Sequence, residues 1–296
     1  MGILYVVSTP IGNLGDLSAR AAEVLRTVDA VLCEDTRHSR RLLDHVGSTV
    51  AALPHHEHNE ARSTPGLVAR LVAGESLALV SDAGTPLLSD PGARLVRAAA
   101  EAGVQVVPVP GASALLAALV VSGLDATRFT FFGFLARKGR ERREVVAALA
   151  ALAHTAVLYE APGRVGDTLA ELAAACGTER PAVVARELTK QFEEVRRGTL
   201  GELAAYYADD PPRGEVVLVL GGRPATAEAP EPAEVRARAR ALHESGASTR
   251  DVARALAAEF GLARNEGYRI AHEIAGGDSA DAGHGGSADD GVAIDG

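Results

Sequence analysis

Five short apolar runs, each followed by a segment of helical period, constrain the first 120 or so residues more than any other feature. The runs lie at 3–7, 30–33, 50–53, 77–81 and 105–108. The amphipathic segments lie at 17–27, 37–45, 60–72, 91–102 and 112–121. Such alternation lays helices over a largely parallel sheet, so it predicts an α/β domain. Ser122-Gly123-Leu124-Asp125 breaks the pattern and ends that domain, 1–122.

A second α/β domain, 123–222, is expected from the next series. It has strands at 129–133, 155–159, 181–185 and 214–220 and helices at 139–151, 162–175 and 199–207. The stretch from 185 reads as a connection through 198, with a short strand at 192–195. Val216 to Leu220 is all β-branched or Leu, as in a strand buried on both faces.

A linker rich in Pro, Ala and Glu follows at 223–231. Helices at 232–244, 249–260 and 264–275 then form a small module, 232–275, with helix-turn-helix-like spacing. Ser248-Thr249-Arg250-Asp251 reads as its capping box and Gly261 as a helix stop. Val252, Leu256 and Phe260 share one face. The module serves either as a packing appendage or as an RNA or ribosome docking element. Residues 276–296 are Gly, Ala, Ser and Asp for the most part, with too little apolar surface to fold, and are expected to be a disordered acidic tail.

Hydrophobic residues make up 47% of the chain, ample for two buried cores. No apolar run approaches a membrane span, and no basic region precedes the first strand, so a soluble cytoplasmic protein is expected. Cys33 and Cys176 lack C-x-x-C context and read as reduced, buried thiols. The net charge of −9 argues against general nucleic-acid binding, although five aspartates of the tail supply more than half of it. Against that background, Arg137-Lys138-Gly139-Arg140-Glu141-Arg142-Arg143 puts five positive charges in seven residues. It is either a solvated helix start or a patch that meets phosphate.

Two loops stand where open α/β sheets place ligands, at the carboxyl ends of strands. Ser8-Thr9-Pro10-Ile11-Gly12-Asn13-Leu14-Gly15-Asp16 follows the first strand, with Asp16 or Ser18 to cap the next helix. Ser81-Asp82-Ala83-Gly84-Thr85-Pro86-Leu87-Leu88-Ser89-Asp90-Pro91-Gly92 follows the fourth. Their small residues let a ligand lie against main-chain groups. Neither is a G-x-G-x-x-G fingerprint. A P-loop is excluded, because Lys138 and Lys190 are the only lysines and neither follows the required glycine. His55-His56-Glu57-His58-Asn59-Glu60 lacks the H-E-x-x-H spacing, and no metal site is expected.

Seven segments occur in order: Ser8–Asp16, Glu34-Asp35-Thr36-Arg37, His58-Asn59-Glu60, Ser81–Gly92, Val109-Pro110-Gly111-Ala112-Ser113, Tyr159-Glu160-Ala161-Pro162-Gly163-Arg164 and Ala185-Arg186-Glu187-Leu188-Thr189-Lys190. Together they resemble the bacterial 16S ribosomal RNA (cytidine-2′-O)-methyltransferases of the tetrapyrrole-methylase superfamily. The resemblance runs over 3–221 and more weakly to 274. It implies two α/β domains with an S-adenosylmethionine (SAM) cleft between them. It also implies a homodimer and, as substrate, a cytidine ribose of 16S ribosomal RNA, met within the small subunit. Cofactor contacts carry over to Pro10, Ala83, Gly84, Thr85, Leu88, Ser113, Ala114, Glu160, Leu188 and Thr189. Gly84-Thr85-Pro86 stands where many tetrapyrrole enzymes carry G-D-P, which removes a carboxylate there. The alternative within the superfamily is a methylase of a corrin or porphyrin intermediate. A non-catalytic RNA-binding module is a third reading, which the two-domain cleft disfavours.

A ribose 2′-OH is a weak acid, so a nearby cation or base would assist methyl transfer. Lys190 is a candidate in either role, as an ammonium facing the developing alkoxide or as an amine of depressed pKa. Glu34, Asp35 and Arg37 follow a strand end and are candidates for the catalytic site. Glu60, with His58 and Asn59, is a candidate to meet the ribose or base. The bland readings are a helix cap and surface ion pairs.

Overall fold

The computed structural model describes residues 1–224, 232–260, 262 and 264–281. Two sheets lie in one compact unit, Met1–Arg223, and a second unit begins at Pro224.

The first sheet contains β1 (Ile3–Val7), β2 (Ala30–Cys33), β3 (Ala52–Pro54), β4 (Leu77–Val80) and β5 (Gln105–Val109). Their order is β3-β2-β4-β1-β5, and every pairing is parallel. Strand periodicity sorts the side chains onto two faces. Val31, Cys33, Ala78 and Val80 pack against α1 (Ala19–Thr27) and α2 (Thr36–His45). Ala30, Leu32, Leu77 and Leu79 pack against α3 (Glu57–Val72) and α4 (Ala93–Glu101). Ser18, rather than Asp16, caps α1, its hydroxyl accepting from the Ala21 N–H at 3.1 Å.

α5 (Ala114–Ser122) leaves the last strand of the first sheet and packs on the second sheet. Its Leu115, Ala118 and Leu119 meet Val157, Val183, Val217 and Val219. Each such Leu contributes about 1.5–3 kcal/mol by burial, which joins the two halves. The second sheet holds β6 (Phe129–Phe134), β7 (Thr155–Glu160), β8 (Pro181–Arg186), β9 (Glu194–Thr199) and β10 (Val216–Leu220). Its order is β6-β7-β10-β8-β9. β6 and β7 are parallel, and the other pairings are antiparallel. β10, last in sequence, is central and buried along its whole length. The opposite face is covered by α6 (Arg140–Ala151), α7 (Val165–Cys176) and α8 (Leu200–Tyr206).

One expectation here needs correction. The stretch read as a connection through 198 contains a full six-residue strand, β9, displaced from the expected 192–195. Its charged residues, Glu194, Arg196 and Arg197, sit on a sheet edge, where charge discourages further pairing.

The second unit has α9 (Pro232–Glu244), α10 (Thr249–Phe260) and α11 (Arg264–Asp281) around Val235, Ala239, Val252, Leu256 and Ile270. Ser248 accepts from the Asp251 N–H at 3.2 Å, which caps α10. α11 ends at Asp281, inside the segment expected as the acidic tail. The rest of the expected tail (282–296), the linker at 225–231 and Gly261 lie outside the described residues. Among those described, no helix is long and apolar enough to cross a membrane.

Candidate active site at the strand ends

The loops after β1, β4 and β5 lie side by side because β4, β1 and β5 are neighbours in the sheet. They lock together mainly through backbone. Thr9 N–H donates to the Gly84 carbonyl at 2.8 Å, and Gly84 N–H returns the bond to Thr9 at 3.1 Å. The Thr9 hydroxyl donates to Ser81 O at 3.1 Å, and the Ser81 hydroxyl to Gly84 O at 2.9 Å. Thr85 Oγ1 donates to Ala112 O at 3.1 Å and lies 3.1 Å from Ser8 Oγ. Gly84 has φ +88°, a conformation that disfavours any side chain.

Four non-glycine residues have positive φ among those described: Leu87 (74°), Ser89 (69°), Glu187 (51°) and Thr189 (67°). Two belong to the loop after β4 and two to the turn after β8. Strain of about 1–3 kcal/mol per residue persists where the fold imposes it, commonly at ligand sites.

A cleft with two lobes opens over these loops. The polar lobe, about 320 Å³, is lined by Pro10, Gly12, His38, Arg41 and Lys190 among others. The less polar lobe, about 340 Å³, is lined by Thr85, Leu88, Asp90, Ala114, Phe134 and Tyr159 among others. Ile11, Asp82, Ala83 and Glu215 belong to both.

Of the expected cofactor contacts, Pro10 and Ala83 line the polar lobe, and Ala83, Thr85, Leu88, Ala114 and Glu160 line the other. Gly84 supports the floor between loops. Ser113 caps α5. Leu188 is buried beside Ile11 and Ala114. Thr189 Oγ1 is buried and meets no protein partner. Glu160 lies in the wall, but its carboxylate is fully engaged. It pairs with Arg164 and accepts from Thr168 Oγ1 at 2.7 Å and Ala161 N–H at 2.7 Å.

The expected catalytic set divides. Lys190 is at the polar lobe, its Nζ 3.0 Å from Glu187 Oε1 and 3.1 Å from Glu215 Oε2. Desolvation pulls its pKa down, but the bonds to the two carboxylates outweigh it and the net direction is up. Of the two roles expected for Lys190, this direction favours the ammonium. Asp35 is the N-cap of α2, accepting from Arg37 N–H at 2.8 Å. Arg37 lines neither lobe: its side chain is 93% exposed and lies 3.6 Å from Asp35. Glu34 is exposed and lines neither lobe.

Glu60 does not meet the cleft either. Its Oε1 accepts from Gly92 N–H at 3.2 Å and Arg94 N–H at 2.8 Å, capping α4, whose own N-cap glycine has no side chain to do so. Asn59 holds the Pro54 carbonyl at 2.9 Å, and His58 is exposed. Arg142, counted in the basic segment, is internal. It reaches Glu171 at 2.6 Å, Thr168 Oγ1 at 3.0 Å and Ala136 O at 3.0 Å. Arg137, Lys138, Arg140 and Arg143 remain exposed. Sequence reasoning missed His38 and Arg41, which are one turn apart on a helix that reads as ordinary, and Asp90.

Solved structures share this fold. A diphthine synthase superposes with TM-score 0.59 at 19% identity, covering 75% of this chain and 90% of that one. A uroporphyrin-III C-methyltransferase from Thermus thermophilus superposes with TM-score 0.54 at 24% identity, covering 75% and 94%. The family profile of the Tetrapyrrole (Corrin/Porphyrin) Methylases matches residues 3–204. Proteins called Ribosomal RNA small subunit methyltransferase I are similar along much more than the cleft. That of Synechocystis sp. is 46% identical over 279 residues, 93% of this chain and 99% of that one. That of Xylella fastidiosa is 54% identical over 223 residues, 75% and 82%. That of Escherichia coli O157:H7 is 44% identical over 275 residues, 92% and 95%. With the strand-end cleft, the family match and these identities in agreement, the chain belongs to the tetrapyrrole methylase family, among the small-subunit ribosomal RNA methyltransferases.

Proposed function

We propose that the protein transfers a methyl group from SAM to the 2′-oxygen of a cytidine ribose in 16S ribosomal RNA, within the small subunit, in the cytoplasm. The observation that carries the reading is the two-lobed cleft: one lobe sized for a nucleoside-bearing cofactor, the other polar and marked by an ammonium. Identity of 44–54% to the ribosomal RNA enzymes, against 24% or less to the uroporphyrin ones, favours RNA over a corrin or porphyrin substrate.

The residues present fit the cofactor. The lobe of about 340 Å³ has small residues at Ala83, Ala114 and Ala161 and apolar ones at Leu88 and Val217. When bound, the cofactor supplies a sulfonium methyl, whose carbon bonds to the ribose oxygen as the carbon–sulfur pair returns to sulfur. The chain's residues position, shield and handle charge. Lys190, held protonated by Glu187 and Glu215, stabilises negative charge developing on the ribose oxygen.

Arg137, Lys138 and Arg143 would take RNA phosphates, since the segment follows Phe134 at the cleft rim. The helices from 232 to 274 are a second candidate for RNA contact. A homodimer is the expected assembly. α5 supports it, because Leu116 and Val120, one turn apart, are 50% and 72% exposed on a helix that is apolar all round. Light scattering at micromolar concentration should give twice the 30.5 kDa chain mass.

The test of function is mass spectrometry of 16S ribosomal RNA from cells lacking the protein, with add-back. Loss and recovery of one 2′-O-methylcytidine is expected. An unchanged methylation map overturns the reading.

A further inference from the structure

We propose that Asp90 accepts the proton released when the ribose 2′-hydroxyl is methylated. The inference rests on the reading above and names a residue for a step it left open. Four carboxylates line the lobes: Asp82, Asp90, Glu160 and Glu215. Glu160 is engaged by Arg164, Thr168 and Ala161 N–H, and Glu215 pairs with Lys190. Asp82 accepts from the Asp35 N–H at 3.3 Å. Asp90 alone of the four has no hydrogen-bond donor and no counter-ion among the described residues.

Its backbone is fixed on both sides. Leu87 and Ser89 before it are at positive φ. Pro91 follows, and Gly92 (φ +120°) is held by Glu60. The fold therefore spends strain to present a bare carboxylate to the lobe that continues, past Asp82, Ala83 and Glu215, into the one Lys190 lines.

The charged and titratable groups around it are Glu34 after β2 and Asp82 after β4, with Tyr159, Glu160 and Glu215 on the opposite wall. Burial first, and then Glu34 and Asp82, push the Asp90 carboxyl up to about 6. A base of that strength is ionised at neutral pH yet binds a proton far better than an ordinary aspartate. The proton passes from the 2′-hydroxyl to the Asp90 carboxylate as the oxygen attacks. The O–H pair stays on oxygen as the negative charge that Lys190 faces. An oxygen lone pair forms the bond to the methyl carbon, the carbon–sulfur pair leaves with sulfur, and water later takes the proton from Asp90. Lys190 cannot take this role, because its ammonium has no free pair.

The test compares wild type with Asp90→Asn, using methyl transfer to purified small subunits, SAM titration calorimetry and thermal unfolding against pH. The variant should transfer about 10²–10⁴-fold more slowly and bind SAM within threefold of wild type. The wild-type rate should fall tenfold per pH unit below about 6, and that limb should be absent from the residual rate of the variant. At pH 7.5 the variant should melt higher than wild type, because a half-buried charge beside Glu34 and Asp82 has been removed, and the difference should close by pH 4. A variant rate within tenfold of wild type, or an unchanged acid limb, overturns the role of Asp90 and leaves the substrate standing. A wild type that methylates no subunit overturns the substrate, and the base assignment falls with it.

Discussion

On the cleft wall built from the first sheet, backbone holds backbone. Thr9 and Gly84 exchange both main-chain bonds, and the hydroxyls of Ser81 and Thr85 add to carbonyls already in place. On the wall built from the second sheet, buried charge holds the structure. Glu160, with a side chain 0% exposed, anchors Arg164 and Thr168, and Thr168 in turn meets Arg142. Arg164 and Arg142 then grip the Leu135 and Ala136 carbonyls at 3.2 and 3.0 Å, which fixes the exit of β6. Each wall is therefore vulnerable in its own way. The first resists loss of a side chain but not gain of one. The second collapses when a single charged group is removed.

The largest effect should come from Glu160→Ala. Removing one partner of a buried pair strands the other and typically costs about 3–5 kcal/mol. Urea unfolding checks it, and a loss below about 1 kcal/mol would break the charge-held account of that wall. Gly84→Leu is the counterpart on the first wall. Its Cβ would meet Ile11 Cγ2 at 3.1 Å with φ at +88°, beneath the cofactor lobe. SAM affinity should fall on the order of a hundredfold, about 2.7 kcal/mol, in a calorimeter. A folded variant with unchanged affinity would remove Gly84 from the site.

In the basic segment, Arg142 belongs to the wall and Arg137, Lys138, Arg140 and Arg143 to solvent. Changing Arg137, Lys138 and Arg143 to Ala should lower the slope of log affinity against log salt by roughly 2–3 for subunit binding, with stability unchanged. Arg142→Ala should do the reverse, since that guanidinium is spent on Glu171, Thr168 and Ala136. Identical salt slopes in wild type and the triple variant would move the RNA to another face. Smallest should be Thr9→Val. It deletes one hydroxyl donor while the main-chain exchange survives, at a cost of about 1 kcal/mol in unfolding free energy.

Much of this architecture is legible in the sequence, because it is written locally. Runs such as Leu77–Val80 and Val216–Leu220 are apolar along their length, so the strands declare themselves. β9 hides because an edge strand carrying Glu194, Arg196 and Arg197 has no apolar run to announce it. The cleft loops stand out through their glycines and prolines, yet roles within them depend on distant partners. Glu60 sits in a histidine-rich run that suggests ligand contact, while its bonds go 32 and 34 residues away to cap α4. Asp90 looks like a turn residue until Glu34 is brought beside it. Asp35 and Arg37 satisfy the bland reading because an N-cap needs only the next few residues.

The position of β10 carries a consequence for how the chain is made. It is the central strand of the second sheet and is supplied last, pairing with β7 on one side and β8 on the other. During synthesis the first sheet can close as soon as Val109 has emerged, since all five of its strands are then present. The second sheet cannot: β7 and β8 must wait with bare inner edges until residues 216–220 leave the ribosome. At about 5–20 residues per second, the delay from Phe129 to Leu220 is roughly 5–20 s. A chain that stops short of β10 therefore releases a finished half fused to two unpaired sheet edges, a species prone to stick to its own copies.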